Sequence, residues 1–216
     1  DALDHYKYFI KKKLSKDSEE YKRINYDIGY TYFKLKEYSY ALKSFEKFLD
    51  IKTSLEKRFY SDSALRIADC QFALKNYWSA MEGYDKIINS NSNKTPYSIY
   101  QKAISYGFVD RNEKKIMTLK LLINEFYKSS YTDDALFELA MTLSFENRFE
   151  ESKSYYEIIL KDFNKSPYFL KSKLNKGLIL YNQGFYKKSR LVLEKFVKQN
   201  KSSNLIQEAL NVLKEI

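Results

Sequence analysis

The sequence predicts an all-α chain in which paired helices repeat in tandem, and three observations carry that reading. Five glycines and two prolines among 216 residues leave too little turn chemistry for a sandwich or a barrel. Lysine, glutamate, leucine, alanine and tyrosine recur instead in the 3.6-residue rhythm of amphipathic helices. A small side chain also returns at a fixed register in five successive segments, the mark of an internal repeat. With 44% hydrophobic and 17% aromatic residues the chain has ample apolar material for a core, which excludes disorder.

The elements follow in chain order. "DALDHYKYFI" reads as the second helix of a preceding copy over residues 1–14, with Ala2 in the small position and Tyr6 four residues on. The first full copy, 22–55, has Gly29 on its first helix, Ala41 twelve residues later on its second, and Phe45 four residues beyond. The same triplet is Ala68, Ala80 and Tyr84 in 61–92; Ala103, Lys115 and Leu119 in 96–127; Ala140, Ser152 and Tyr156 in 133–164; and Gly177, Ser189 and Leu193 in 170–201. A polar turn precedes Tyr38, Tyr77, Asn112, Phe149 and Tyr186, so each copy is a helix-turn-helix. Residues 203–216, "SNLIQEALNVLKEI", carry Leu205, Ile206, Ala209, Leu210 and Leu213 on one stripe and form a terminal or capping helix, or the first helix of a sixth copy. Positions 41, 80, 115, 152 and 189 are 39, 35, 37 and 37 residues apart. Antiparallel helices approach closely only where side chains are small, so these positions mark the crossings. Stacked in series, the pairs make an α-solenoid, a right-handed superhelix, over residues 1–216 as one segment of a longer array.

This register resembles the tetratricopeptide repeat. The W-x-x-L-G-x-x-Y signature of that family is matched in the first copy by Ile28, Gly29 and Tyr32, and A-x-x-x-F by Ala41 and Phe45; Asn25 stands at the tryptophan position. Lys115 in the third copy and Lys173 and Lys176 in the fifth replace expected small or apolar residues, and the closing proline is absent. The linkers "NEFYKSSYTDDALFELA" and "KDFNKSPYFLKSKLNKG" resemble those of bacterial cell-envelope members, such as the Tol-Pal coordinator and the lipoprotein of the β-barrel assembly machinery, which implies the periplasmic side of the envelope.

The resemblance further implies a concave face made by the first helices. Its positions hold Tyr26, Tyr30, Phe33 and Lys34; Leu65, Asp69 and Phe72; Tyr100, Ile104 and Phe108; Phe137, Met141 and Phe145; and Leu174, Leu178 and Tyr181. These residues are expected to line an aromatic groove for a protein or peptide partner. The lysine and asparagine clamp by which chaperone-binding members hold a terminal carboxylate is not carried.

Catalysis has little material. His5 is the only histidine and Cys70 the only cysteine, so no metal site, His-based triad or disulfide can be assembled, and no small-molecule substrate is expected. The pairs at 19–20, 133–134 and 150–151 fall at helix starts, where acidic side chains complement the macrodipole. No glycine-rich phosphate loop exists, no cofactor is implied, and no run approaches the ~18 apolar residues of a membrane span. The formal charge of +10 is polarised: residues 131–160 net −5 and residues 161–201 net +9. Lys171, Lys173, Lys176, Lys187, Lys188, Arg190, Lys195 and Lys198 form a basic surface suited to an acidic partner. A nucleic-acid reader of one base per copy would need repeated polar groups, whereas these groove positions are apolar. The reading is therefore a non-catalytic interaction scaffold. Its alternatives are an architectural segment of a longer protein with partners bound elsewhere and, more remotely, nucleic-acid binding.

Overall fold

Turns, more than helices, show how the repeat is built. The computed structural model describes residues 6, 8, 15–16, 18–51, 56–200 and 203–216. The helix expected over 1–14, with Ala2 and His5, lies outside these apart from Tyr6 and Tyr8. Among the described residues there are eleven helices and no strand. They are α1 (Glu19–Lys34), α2 (Tyr38–Asp50), α3 (Lys57–Ala73), α4 (Tyr77–Asn89), α5 (Thr95–Phe108), α6 (Asn112–Glu125), α7 (Thr132–Phe145), α8 (Phe149–Asp162), α9 (Phe169–Asn182), α10 (Tyr186–Gln199) and α11 (Ile206–Glu215).

The turns after α1, α3, α5, α7 and α9 are the same object. Lys36, Lys75, Asp110, Asn147 and Gly184 each have φ between 55° and 78°. Their amide hydrogens bond back to Phe33, Phe72, Gly107, Ser144 and Tyr181, and those of the next residues to Tyr32, Gln71, Tyr106, Leu143 and Leu180. This pair of bonds closes a helix by a Schellman motif, whose left-handed residue reverses the chain. The five residues are 39, 35, 37 and 37 apart, the intervals that separate 41, 80, 115, 152 and 189.

Entry into the first helices is equally regular. Ser18 caps α1 by accepting the amide of Tyr21 at 3.1 Å. Ser92, Ser129, Ser166 and Ser203 accept through their hydroxyls the amides of Lys94, Tyr131, Tyr168 and Leu205, and through their carbonyls those of Thr95, Thr132, Phe169 and Ile206. These serines stand 37 residues apart. Each closes a short turn by local side-chain bonding.

The chain divides into two compact units, Asp1–Arg111 and Asn112–Ile216, so the boundary falls between α5 and α6. In the N-terminal unit α1 packs on α2, α3 on α4, and α2 and α4 also touch the next first helix. A methyl placed on Gly29 would lie 2.8 Å from the Phe45 ring, and one on Gly83 would lie 2.7 Å from Cβ of Ala68. In the C-terminal unit a methyl on Gly177 would meet Leu193 at 2.5 Å. There the crossing serines are buried and satisfied: Ser152 Oγ donates to the carbonyl of Ala140 at 2.7 Å, and Ser189 Oγ to that of Gly177 at 2.9 Å. The second small residue thus bonds to the first, twelve residues earlier, where alanine would only touch it. The α11 residues Ala209, Val212 and Leu213 cover Leu174, Leu178 and Leu193, which gives the fifth copy a lid of first-helix type.

Lysine pays a steric cost in the left-handed region that glycine avoids, about 1 kcal/mol. Lys36→Gly and Lys75→Gly should therefore each raise the melting temperature by a few degrees. Gly184→Ala should lower it, although its new methyl meets nothing within 4 Å. Calorimetry of the three variants checks the signs.

Candidate functional site

The first-helix positions of the N-terminal unit are drawn together by one carboxylate. Tyr26 and Tyr30 lie one turn apart on α1, rings 5.0 Å between centroids. Both hydroxyls donate to Asp62 Oδ2 on α3, that of Tyr26 at 3.0 Å and that of Tyr30 more closely. Lys94, at the entrance to α5, holds Asp62 Oδ1 at 2.5 Å. Burial works against the charge of Asp62, but the hydrogen bonds of Lys94 and Tyr30 and the Lys94 charge outweigh it and hold the carboxyl below its ordinary value. Burial and the bond to Asp62 push the Tyr30 phenol up. Arg23, Arg58 and Phe59 complete the walls of an open cavity of about 400 Å³ beside this cluster.

Asp69, two turns further along α3, turns inward. It accepts from Tyr84 on α4 and Tyr97 on α5, both at 2.9 Å, and pairs with Arg66 at 2.6 Å. It is only 7% exposed, and burial raises its pKa despite these partners. Leu65 is buried beside it. What stays accessible lies toward the ends of the first helices. Phe33 packs on Tyr38, with the Arg66 guanidinium 5.4 Å above its ring. Phe72 meets Tyr77 and Phe108 edge-on, and Tyr77 and Phe108 stack at 4.7 Å with rings 3° apart. Phe108 is 58% exposed; Tyr100 and Ile104 are half-buried, and Lys34 faces solvent.

In the C-terminal unit exposure rises along α7. Phe137 is 5% exposed, stacked on Tyr168 at 4.5 Å beneath the Lys171 ammonium, while Met141 is 41% and Phe145 79% exposed. Asn175 on α9 donates to Tyr156 Oη at 2.8 Å and to Met141 Sδ at 3.2 Å. Leu174 is buried and Leu178 half-buried under α11, and the Tyr181 hydroxyl donates to Glu215 at 2.6 Å. Leu65, Asp69, Phe137 and Leu174 therefore serve packing in this structure. The accessible apolar side chains are Phe108 in the N-terminal unit, with Phe72 and Ile104 partly open, and Met141 and Phe145 in the C-terminal unit.

The basic residues lie on α9 and α10. Lys171, Lys187, Lys188, Arg190, Lys195 and Lys198 are exposed, and Lys173 and Lys176 are half-buried. Lys176 pairs with Glu157 at 2.9 Å, and Lys188 sits 5.3 Å above the Phe185 ring. Lys115, which holds the second small position of the third copy, reaches Glu138 on α7 at 2.8 Å, which answers its charge. Burial, with the charge of Asp69 beside it, pushes the Cys70 thiol up to about 12, so it is no nucleophile near neutrality. Among the described residues no group of three or more His, Cys, Asp or Glu is placed to hold a metal ion, and no helix is long and apolar enough to cross a membrane.

The tetratricopeptide repeat family model matches residues 22–54 and 133–160. No curated relative matches the sequence. Among solved structures, the C-terminal part of a repeat protein of the same kind from Cytophaga hutchinsonii is 13% identical, with a TM-score of 0.74 over 93% of this chain and 73% of that one. The MamA protein is 15% identical, with a TM-score of 0.68 over 85% and 94%. YrrB, described as a protein of this repeat type with an unusual peptide-binding site, is 14% identical, with a TM-score of 0.63 over 98% of both chains. The likeness is one of fold: all-helical, with paired helices in tandem, as in tetratricopeptide repeat proteins.

Because the folded pKa of Asp62 lies below its ordinary 3.8, the stability it supplies is present above that pH and is lost as pH falls through the folded value. Asp62→Asn should therefore destabilise the protein at pH 7, and the gap to wild type should close below about pH 4 in urea titrations.

Proposed function

We propose that this chain is a non-catalytic scaffold that binds an apolar peptide or protein segment through the exposed aromatic side chains of its first helices. The observation that carries the reading is the exposure of Phe108 and Phe145, 58% and 79%, at corresponding ends of α5 and α7. Large aromatic side chains left this open are costly to keep in water and favour an occupant. Phe108 is held by its stack with Tyr77 and its edge contact with Phe72, so little side-chain freedom is lost when an anchor docks against it. The peptide-binding description of YrrB, which shares the fold, supports the same use of the repeat. The linker resemblance supports a place on the periplasmic side of a bacterial envelope, which fractionation of the source cells tests.

Selection of a random peptide display library on the immobilised chain tests the site. Wild type should enrich sequences with apolar anchors. Phe108→Ser or Phe145→Ser should reduce affinity for them roughly thirtyfold, the effect of losing a hot spot worth about 2 kcal/mol. Far-UV circular dichroism should stay unchanged, because both side chains are exposed. Absence of any enriched family, or enrichment indifferent to both substitutions, contradicts the reading.

A further inference from the structure

A second site, built from other residues, is enclosed by α8, α9 and α10. The α9 helix packs against both neighbours, and between them lies a cavity of about 380 Å³. Its lining includes the apolar side chains Leu160, Leu180, Val192 and Phe196, ringed by Lys153, Lys173, Lys176 and Lys195. On α9 the lining positions 173, 176 and 180 share a stripe distinct from that of 174, 178 and 181, which faces α11. The cavity thus shares no residue with the exposed first-helix side chains.

Both lysines that break the repeat pattern in the fifth copy, Lys173 and Lys176, line this cavity. Their stems extend the apolar wall while their ammonium groups stand at its rim. The chain answers only half of the ring's charge. Lys153 pairs with Glu150 at 2.6 Å and Lys176 with Glu157 at 2.9 Å. Lys173 lies 4.5 Å above the Phe169 ring, and neither it nor Lys195 has a carboxylate partner among the described residues. Two uncompensated ammonium groups on different helices thus flank an apolar depression, in a segment whose net charge is +9.

We propose that this cavity docks an acidic amphipathic helix of a protein partner, a large apolar side chain seated on Leu180, Val192 and Phe196 and flanking carboxylates on Lys173 and Lys195. Charge complementarity selects that occupant. A fatty acid brings a single carboxylate for two ammonium groups, and a nucleic acid brings charge without an aliphatic knob. A helix carries its apolar stripe and flanking acids one turn apart, which suits a groove between helices.

The test is fluorescence anisotropy with a labelled, end-capped synthetic helix of about fifteen residues, leucines on one stripe and glutamates beside it. Saturable binding is expected, weakening about tenfold between low and physiological-to-high salt as the pairs are screened. Lys173→Glu with Lys195→Glu should weaken it at least about tenfold, and the exposed Lys195→Glu alone by a smaller factor, with circular dichroism intact. A shuffled peptide without the stripe, decanoate and a single-stranded oligonucleotide should not compete, and Phe108→Ser should leave binding unchanged. No saturable binding, binding indifferent to both charge reversals, or full competition by the shuffled peptide, decanoate or oligonucleotide overturns the proposal. The result is independent of the display selection, since the two sites share no residue.

Discussion

Close approach of two helices at a pair of small side chains is the constraint on which the rest of the structure depends. Gly29 under the Phe45 ring and Gly177 under Leu193 leave no room for a methyl, so the large residue of the second helix fills the space that the first helix vacates. The turn between them must bring those positions into register. Within the two units Lys36, Lys75, Asn147 and Gly184 do so in the left-handed conformation, and serines 37 residues apart return the chain to the next first helix. With helix length and both turns set, the side chains one turn beyond the crossing have little freedom over where they point. The exposure of Phe108 in one unit and Phe145 in the other follows from that geometry.

Much of this was legible in the sequence because small residues at fixed spacing have only one common explanation in helices. The turn residues were harder to read. Lys36, Lys75, Asp110, Asn147 and Gly184 share a conformation and no chemistry, since four of them tolerate strain that only the glycine avoids. The serines at 92, 129, 166 and 203 were readable, their spacing being an unvarying 37, yet serines are common in loops and draw no notice without the bonds they make.

The groove positions were less legible, for a different reason. Register fixes the face of a helix but not how deeply the neighbouring helix overlaps it. Positions three residues before the small one are buried in Leu65, Phe137 and Leu174, whereas those four or five after it reach solvent in Phe108 and Phe145. Long-range polar pairs leave no trace in local pattern. Asp62 joins Tyr26, Tyr30 and Lys94 across 32 to 36 residues, and Asp69 joins Tyr84 and Tyr97 in the same way. Lys22 is wholly buried, donating to the Ile51 carbonyl and to Tyr60 Oη at 2.8 Å beside the Phe48 ring, where a surface cation would be read from composition. These groups hold first helices to one another. Exposed side chains beside them are thereby placed on a stiff support, which is what an interaction surface needs.

The claim that small residues at the crossings organise everything else is tested by crowding one of them. Ala80 has no exposed surface, and it packs with Leu65, Ala68 and Tyr84. Thermal unfolding of Ala80→Leu, with the exposed Trp78→Leu on the same helix as reference, is the direct measurement. The account predicts that Ala80→Leu costs about 1–3 kcal/mol through overpacking, with Trp78→Leu close to wild type. An unchanged melting temperature for Ala80→Leu would contradict it.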